Sequence, residues 1–155
     1  MFKIIGKIKF DPVNVTKKHS KQAAWKRVVV VEFDGDTYAY YAWFIKNRYG
    51  IELNKPLRGT HITIVSDIVD NDIYEQARKV FDGKELTIEY DPTEVRTNGG
   101  HWWLKAYSVD AENIRRAIGL DPTPYFGFHL TLGVATHLQL DQSKYIHTLI
   151  KKGLV

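Results

Sequence analysis

The alternation of apolar and polar residues predicts several β-strands. Over Phe2–Phe10, Ile4, Ile8 and Phe10 fall on one face and lysines on the other, which is typical of a strand with one face in the core. Residues 27–33 (RVVVVEF) are β-branched and almost wholly apolar, as expected of a strand buried on both faces. The same patterns predict four further strands, over residues 60–66, 84–90, 101–108 and Phe128–Ala135.

Apolar residues at helical spacing predict four helices. In the first, over residues 38–49, one side carries Tyr40, Tyr41, Phe44 and Ile45, and Gly50 is the expected C-terminal stop. The others are expected over Asn71–Phe81 with Asp70 or Asn71 as N-cap, over 111–118 with Asp110 as N-cap, and over 142–152. Polar residues predict a turn at 34–36 and a long loop over 91–100.

The order of these elements indicates the fold class and the domain organisation. Strands are not always separated by helices, which predicts an α+β fold with largely antiparallel sheets. The 155 residues, 44% of them hydrophobic, are enough for one compact domain or two small lobes. The longest purely aliphatic run, Val28 to Val31, is far too short to span a membrane, and the N-terminus has no signal-peptide pattern. We therefore expect a cytoplasmic protein that makes no membrane contact.

Composition and charge restrict the kinds of catalysis and the kinds of partner that the protein can have. The chain has no cysteine, which excludes disulfide scaffolds, thiolate catalysis and thiolate-rich zinc sites. The net charge is +4, but residues 1–27 alone carry +7, which suggests a polyanionic partner such as a nucleotide or nucleic acid. The alternative is a lysine-rich edge strand that protects against aggregation. Because +4 is modest for wrapping a long duplex, a small nucleotide or an RNA end is favoured, with Lys26 and Arg27 as the best-placed cations.

An internal repeat carries the strongest chemical signal. Residues 56–64 (PLRGTHITI) and 124–132 (PYFGFHLTL) share the pattern P-x-x-G-x-H-φ-T-φ, where φ is aliphatic, at an offset of 68 residues. Side chains alternate along a strand, so His61 and Thr63 share one face, as do His129 and Thr131, with aliphatic residues opposite. If the two strands face each other, two imidazoles and two hydroxyls converge on one cleft between two pseudo-equivalent lobes.

This constellation suits phosphodiester cleavage without a cofactor. One neutral imidazole can accept a proton from an attacking hydroxyl or water, and the other, protonated, can donate to the leaving oxygen. The threonine hydroxyls can donate hydrogen bonds to phosphate oxygens as charge develops. A metal site is not expected, since the motif has no carboxylate or further histidine at ligand spacing. The alternative interpretation is two ordinary strand histidines in polar surroundings.

The paired H-φ-T-φ strands resemble the two-histidine (2H) phosphoesterase superfamily. The resemblance implies two pseudo-symmetric lobes within a single domain over residues 1–155, each a mainly antiparallel sheet flanked by helices, with a central cleft between them. It also implies catalysis by His61 and His129 and phosphate binding by Thr63 and Thr131. Members include RNA 2′,3′-cyclic phosphodiesterases and 2′–5′ RNA ligase-like proteins. One phage branch degrades the cyclic oligonucleotide messengers of bacterial anti-phage (CBASS) immunity in the infected cell. The segments GGHWWL and PYFGFHLTLG of this chain resemble that branch.

Several residues near the repeat are candidates for binding the substrate. The strand over 101–108 places a more polar set on one face: His101, Trp103, Lys105 and Tyr107. Trp103 could stack on a base and Lys105 could contact phosphate, although ordinary packing of a half-buried sheet face is the alternative. Arg58, Tyr125 and Phe126 are expected at the rim of the cleft. Arg96 and Asn98 lie in the predicted 91–100 loop, which could reach over the cleft.

Two questions stay open from the sequence. The near symmetry of the two motifs does not show which histidine is the base and which is the acid. A non-catalytic protein that binds RNA or sequesters a cyclic nucleotide could keep the same cleft, although such a binder does not need all four motif residues. We expect a monomer that takes a small nucleotide or an RNA end.

Overall fold

The protein has an α+β fold, as predicted. The computed structural model describes residues 1–11, 27–33, 37–56 and 59–155. Within these ranges the strands are β1 (Phe2–Phe10), β2 (Val29–Glu32), β3 (Leu53–Asn54), β4 (His61–Val65), β5 (Glu85–Thr97), β6 (His101–Tyr107) and β7 (Phe128–Ala135). The α-helices are α1 (Thr37–Tyr49), α2 (Asn71–Phe81), α3 (Val109–Ala117) and α4 (Leu140–Lys151), and a short 3₁₀ helix spans His137–Gln139. No helix in the described ranges has the length and apolar character needed to cross a bilayer.

The strands form one seven-stranded antiparallel sheet. Their order is β3-β7-β6-β5-β1-β2-β4, so β4 forms one edge and β7 lies next to the other edge. β4 nevertheless contacts β7, although the two are not hydrogen-bonded neighbours. The sheet therefore curves until its two ends approach each other, and this curvature brings together the two strands that carry the repeat.

The two faces of the sheet differ in character. On one face, Ile8 pairs with Val31 and Val31 with Ile62, and all three side chains are buried. Helices α1, α2 and α3 contribute further buried residues to the same core. On the opposite face, the register aligns Lys7 with Glu32 and Glu32 with His61. Burial of aliphatic residues thus fixes one face against the helices and leaves the polar residues on the other.

The register bears on one of the two explanations of the basic N-terminal segment, the edge strand. β1 pairs with β5 on one side and with β2 on the other, so the interpretation of a protective lysine-rich edge strand is wrong. An interior strand has no unpaired edge to protect. Lys7 and Lys9 instead lie on the same face of the sheet as the motif histidines.

The prediction of a loop over residues 91–100 is wrong for most of that segment. β5 continues to Thr97, with Val95 opposite Leu104 and Thr97 opposite Trp102, after an irregularity between Tyr90 and Val95. The sequence Asp91-Pro92 breaks the strand pattern locally, but burial of Val95 and Thr97 restores the pairing beyond it. Arg96 is therefore a strand residue, not part of a loop that reaches over a cleft.

The end of this hairpin is a tight turn. The side-chain oxygen Oδ1 of Asn98 accepts hydrogen bonds from the backbone N–H groups of Gly100 (3.0 Å) and His101 (2.8 Å). Gly99 has φ +97°, a conformation that L side chains rarely adopt. Asn98 consequently serves to close the turn between β5 and β6.

The helix caps agree with the prediction for α2 and differ for α3. Asp70 caps α2 and accepts hydrogen bonds from the N–H groups of Asp72 and Ile73. The N-cap of α3 is Ser108, whose hydroxyl accepts from Ala111, and the predicted cap Asp110 lies inside the first turn. The Asp110 carboxylate accepts from the Thr87 backbone instead, at 3.3 Å. Serine and aspartate are nearly equal as N-caps, so the sequence alone did not choose between them.

Strand β3 was not predicted, because two residues are too few to show a period. Leu53 and Asn54 pair with Ala135 and Val134 of β7. The pairing depends on Gly133, since a Cβ at that position would collide with the carbonyl oxygen of Asn54. β3 thus adds a short edge beside the second motif strand.

Candidate functional site

Each copy of the repeat begins with the same backbone hydrogen bond. The N–H of Gly59 donates to the carbonyl of Pro56 (3.0 Å), and the N–H of Gly127 donates to the carbonyl of Pro124 (2.8 Å). Both glycines have positive φ, +67° and +71°, where a side chain would be strained. The proline and glycine of the pattern therefore form a turn that delivers the chain into β4 and β7.

The motif glycines also orient the histidines. His61 Nδ1 lies 3.0 Å from the carbonyl oxygen of Gly59, and His129 Nδ1 lies 3.4 Å from that of Gly127. A carbonyl oxygen only accepts hydrogen bonds, so each Nδ1 must carry the proton. In each neutral ring the lone pair is then on Nε2, which is the nitrogen that can exchange a proton with a ligand.

Burial along both motif strands alternates in the same way. Ile62, Ile64, Leu130 and Leu132 are buried in the core. The four residues between them are half-buried on the opposite face: His61, Thr63, His129 and Thr131. The structure thus places an imidazole and a hydroxyl side by side on each of two strands that contact each other. The aliphatic residues hold both pairs in place.

A cavity of about 260 Å³ opens beside the second motif. His129, Thr131, Trp103 and Phe126 line it, together with Asn98, His101 and Trp102. The rings of Trp103 and His129 are 5.8 Å apart and inclined at 55°. The cavity therefore joins one candidate acid/base group to aromatic surfaces on which a flat ligand could stack.

The surroundings of His129 lower the pKa of its imidazole below the ordinary 6.5. Burial is the main cause, because it disfavours the charged ring, and the positive charge of a protonated His101 acts in the same direction. The hydrogen bond to Gly127 opposes the shift by favouring the protonated form. His129 is thus neutral at physiological pH and suited to accept a proton.

Strand β6 places two predicted binding residues next to the second motif. Lys105 is directly opposite His129, and Trp103 is directly opposite Thr131. The Lys105 ammonium lies 5.3 Å from the centre of the Tyr107 ring. A cation and an aromatic ring therefore flank the imidazole and hydroxyl of β7, on the polar face that the alternation predicts.

The first motif has a carboxylate neighbour that the sequence analysis did not single out. Glu32 is directly opposite His61 in the register, and its carboxylate lies 4.0 Å from the ammonium of Lys9. The signal was present, because Glu32 is the charged residue that ends the apolar run of β2. The register therefore places Glu32 next to the first motif histidine on the polar face of the sheet.

The other predicted binding residues are scattered. Tyr125 and Phe126 are 95% and 84% exposed and pack edge to face, 4.8 Å apart, in the turn before β7. Arg27 donates from Nε to Asn71 at 3.0 Å, at the end of β2 away from His61. Lys26 and Arg58 lie outside the described residues. The structure brings Phe126 to the cavity and does not bring Arg27 there.

Arg115 is a buried cation that sequence patterning did not reveal. Its side chain is 3% exposed, and its guanidinium donates to the carbonyl of Ile64 (2.8 Å), to Asp67 (3.1 Å) and to the carbonyl of Asp121 (2.6 Å). It therefore ties α3 to the first motif strand and to the chain that leads toward the second.

Within the described ranges, no three histidine, aspartate or glutamate side chains are grouped so that they could hold a metal ion. The sequence matches no family model and no curated protein, and no solved structure matches the chain.

Proposed function

We propose that the protein is a metal-independent phosphodiesterase that cleaves ribonucleotide phosphodiester bonds by two-histidine acid/base catalysis. The observation that carries the proposal is the duplicated construction of the site. In both copies a glycine at positive φ turns the chain and its carbonyl orients the histidine, on two strands that contact each other. Ordinary surface histidines do not require this repeated construction.

The two histidines take different roles in the proposed reaction. His129, whose pKa is lowered by burial, is the base, and His61, opposite the carboxylate of Glu32, is the acid. The substrate's 2′-hydroxyl oxygen attacks phosphorus as His129 Nε2 accepts its proton. The P–O5′ bond breaks, and the departing oxygen takes a proton from His61 Nε2. The products are a 2′,3′-cyclic phosphate and a 5′-hydroxyl.

The same groups can act on a 2′,3′-cyclic phosphate. Water then attacks phosphorus, one histidine accepts its proton, and the other protonates the leaving ribose oxygen. Thr63 and Thr131 donate hydrogen bonds to the non-bridging phosphate oxygens, where negative charge increases in the transition state. Lys105 adds a positive charge beside His129, and Trp103 and Phe126 stack on a base.

The substrate in this proposal is a small nucleotide that contacts the motif residues of both β4 and β7. A cyclic oligonucleotide messenger and an RNA end with a 2′,3′-cyclic phosphate both present the required bonds. A cyclic oligonucleotide requires attack by a 2′-hydroxyl, whereas an RNA end with a 2′,3′-cyclic phosphate requires attack by water. One assay that includes both kinds of substrate can therefore distinguish them.

The decisive experiment incubates the purified protein with 3′,5′-linked cyclic dinucleotides and with 2′,3′-cyclic AMP, followed by chromatography of the products. We expect turnover of at least one substrate, undiminished by EDTA. His61→Ala and His129→Ala should each lower the rate at least about 100-fold, because each removes one proton-transfer group. His137→Ala, which removes an exposed histidine outside the motif, is the matched control and should retain full activity.

Three results would contradict the proposal. Full activity in both motif variants would show that the histidines are not the acid and base. Loss of activity with EDTA would show that a metal is required. Binding of a nucleotide without any product would instead identify a sequestering protein.

A further inference from the structure

A second cavity lies apart from the repeat. Its volume is about 610 Å³, more than twice that of the cavity beside His129. It lies between α1, residues 90–96 of β5 and the C-terminal segment, and none of the motif residues lines it. The volume falls within the range of pockets that hold nucleotides and other small ligands.

Aromatic side chains form the walls of this cavity. Tyr41 packs edge to face against Tyr40 at 5.0 Å and against Tyr90 at 5.8 Å, and Phe2 lies 6.0 Å from Tyr90. Tyr41 and Tyr90 are buried, whereas Phe2 and Tyr40 are 57% and 63% exposed. The exposed rings leave aromatic surface free to stack on a flat ligand.

Two arginines from different elements supply the charge. Arg48 extends from α1 and Arg96 from β5, and among the described residues that line the cavity there is no aspartate or glutamate. Arg48 stacks on Tyr49 at 5.4 Å and has no ion pair or hydrogen bond with the rest of the described chain. Arg96 makes one hydrogen bond, to its neighbour Val95, and a long ion pair of 3.8 Å with Glu94. Both guanidiniums thus keep donors for an anion.

The buried tyrosine pair adds a neutral donor. The hydroxyls of Tyr41 and Tyr90 are 3.0 Å apart and share one hydrogen bond. Two hydroxyls carry two protons, and this bond uses one of them. Both tyrosines line the cavity, so the second proton can be donated to a polar atom of a ligand.

We propose that this cavity binds a nucleoside monophosphate. The aromatic walls take the base, the guanidiniums of Arg48 and Arg96 take the phosphate, and the Tyr41–Tyr90 pair donates to a polar atom of the ligand. The described lining favours a ligand with an acidic group, because it offers two arginines and no aspartate or glutamate side chain. This site is separate from the proposed catalytic residues and does not depend on their activity.

The test is isothermal titration calorimetry of the full chain with AMP, adenosine and inorganic phosphate. The titrations are made in the His61→Ala/His129→Ala double variant, so that the motif site does not contribute through its imidazoles. We expect AMP to bind at least tenfold more tightly than adenosine or phosphate alone. Arg48→Ala and Arg96→Ala should each weaken AMP binding at least tenfold. Arg116→Ala, which removes an exposed arginine on α3, should leave it unchanged.

Other outcomes would overturn the proposal. Absence of heat with AMP would show that no such site exists. Equal affinity for phosphate and AMP would show an anion site without base recognition. If Phe126→Ala abolishes AMP binding and the two arginine variants leave it unchanged, the nucleotide binds beside His129 instead.

Discussion

At the scale of single residues, His129 is the ionisable group whose surroundings bear most directly on the proposed chemistry. The sequence predicted its position on a strand face but not its burial next to Trp103 from β6. A ring that loses water of hydration disfavours its charged form, so the pKa moves down. The lowered pKa of His129, whose ring lies next to a tryptophan distant in sequence, is therefore a difference that the motif alone does not predict.

The pKa of His129 can be measured directly. Since burial lowers it, the imidazole should titrate by NMR with a midpoint below the ordinary 6.5, and the ring should stay neutral at pH values where a solvated histidine is protonated. Trp103→Ala should raise the midpoint toward 6.5 by admitting water. Trp43→Ala removes an exposed tryptophan on α1 and should leave it unchanged. A midpoint above 6.5 in the unmodified protein would contradict the assignment of His129 as the base.

At the scale of elements, regular periodicity was predictable and irregular backbone was not. The alternation over Phe2–Phe10 and over the two motif strands gave their buried faces correctly, since side chains alternate in any strand. The extension of β5 to Thr97 was missed, because the irregularity between Tyr90 and Val95 interrupts the pattern, and pairing with β6 restores it. That pairing is a property of two strands, not of one segment.

The motif turns are elements whose role can be tested by substitution. Gly127→Ala should destabilise the fold by about 1–2 kcal/mol, because alanine is strained at φ +71°. It should also lower the rate of phosphodiester cleavage, since the Gly127 carbonyl orients His129. Gly83→Ala is the matched control: φ is +78° and there is similarly open space around the Cβ. Chemical denaturation and activity assays should show a similar stability loss in both variants and reduced kcat in Gly127→Ala alone. Equal kcat in the two would argue against the orienting role.

At the scale of the whole molecule, the curvature of the sheet and a buried arginine bring the two halves of the repeat together. β4 and β7 lie near opposite ends of the strand order, yet they contact each other. Arg115 bonds the carbonyl of Ile64 in β4 and the carbonyl of Asp121 in the segment before β7. The first motif strand is thus tied to the chain that enters the second.

Removal of this connection should destabilise the protein. Arg115→Ala leaves two backbone carbonyls without their charged donor, which should lower the free energy of unfolding by about 2–4 kcal/mol. Arg116→Ala, at the next and exposed position, should change it by less than about 0.5 kcal/mol. Urea denaturation measures both. An Arg115→Ala variant as stable as Arg116→Ala would show that the buried guanidinium does not hold the strands.

The sequence by itself determined the α+β class, the faces of its regular strands and the duplicated proline, glycine, histidine and threonine positions. These follow from local rules, since side-chain alternation and positive φ act within a few residues. Only the tertiary structure decided that β1 is an interior strand, that Glu32 lies opposite His61 and that β4 contacts β7. Each of these depends on segments distant in sequence, which are brought together by burial of apolar side chains whose energy is not directional. The local pattern therefore fixed which side chains share a face, and packing fixed which faces meet.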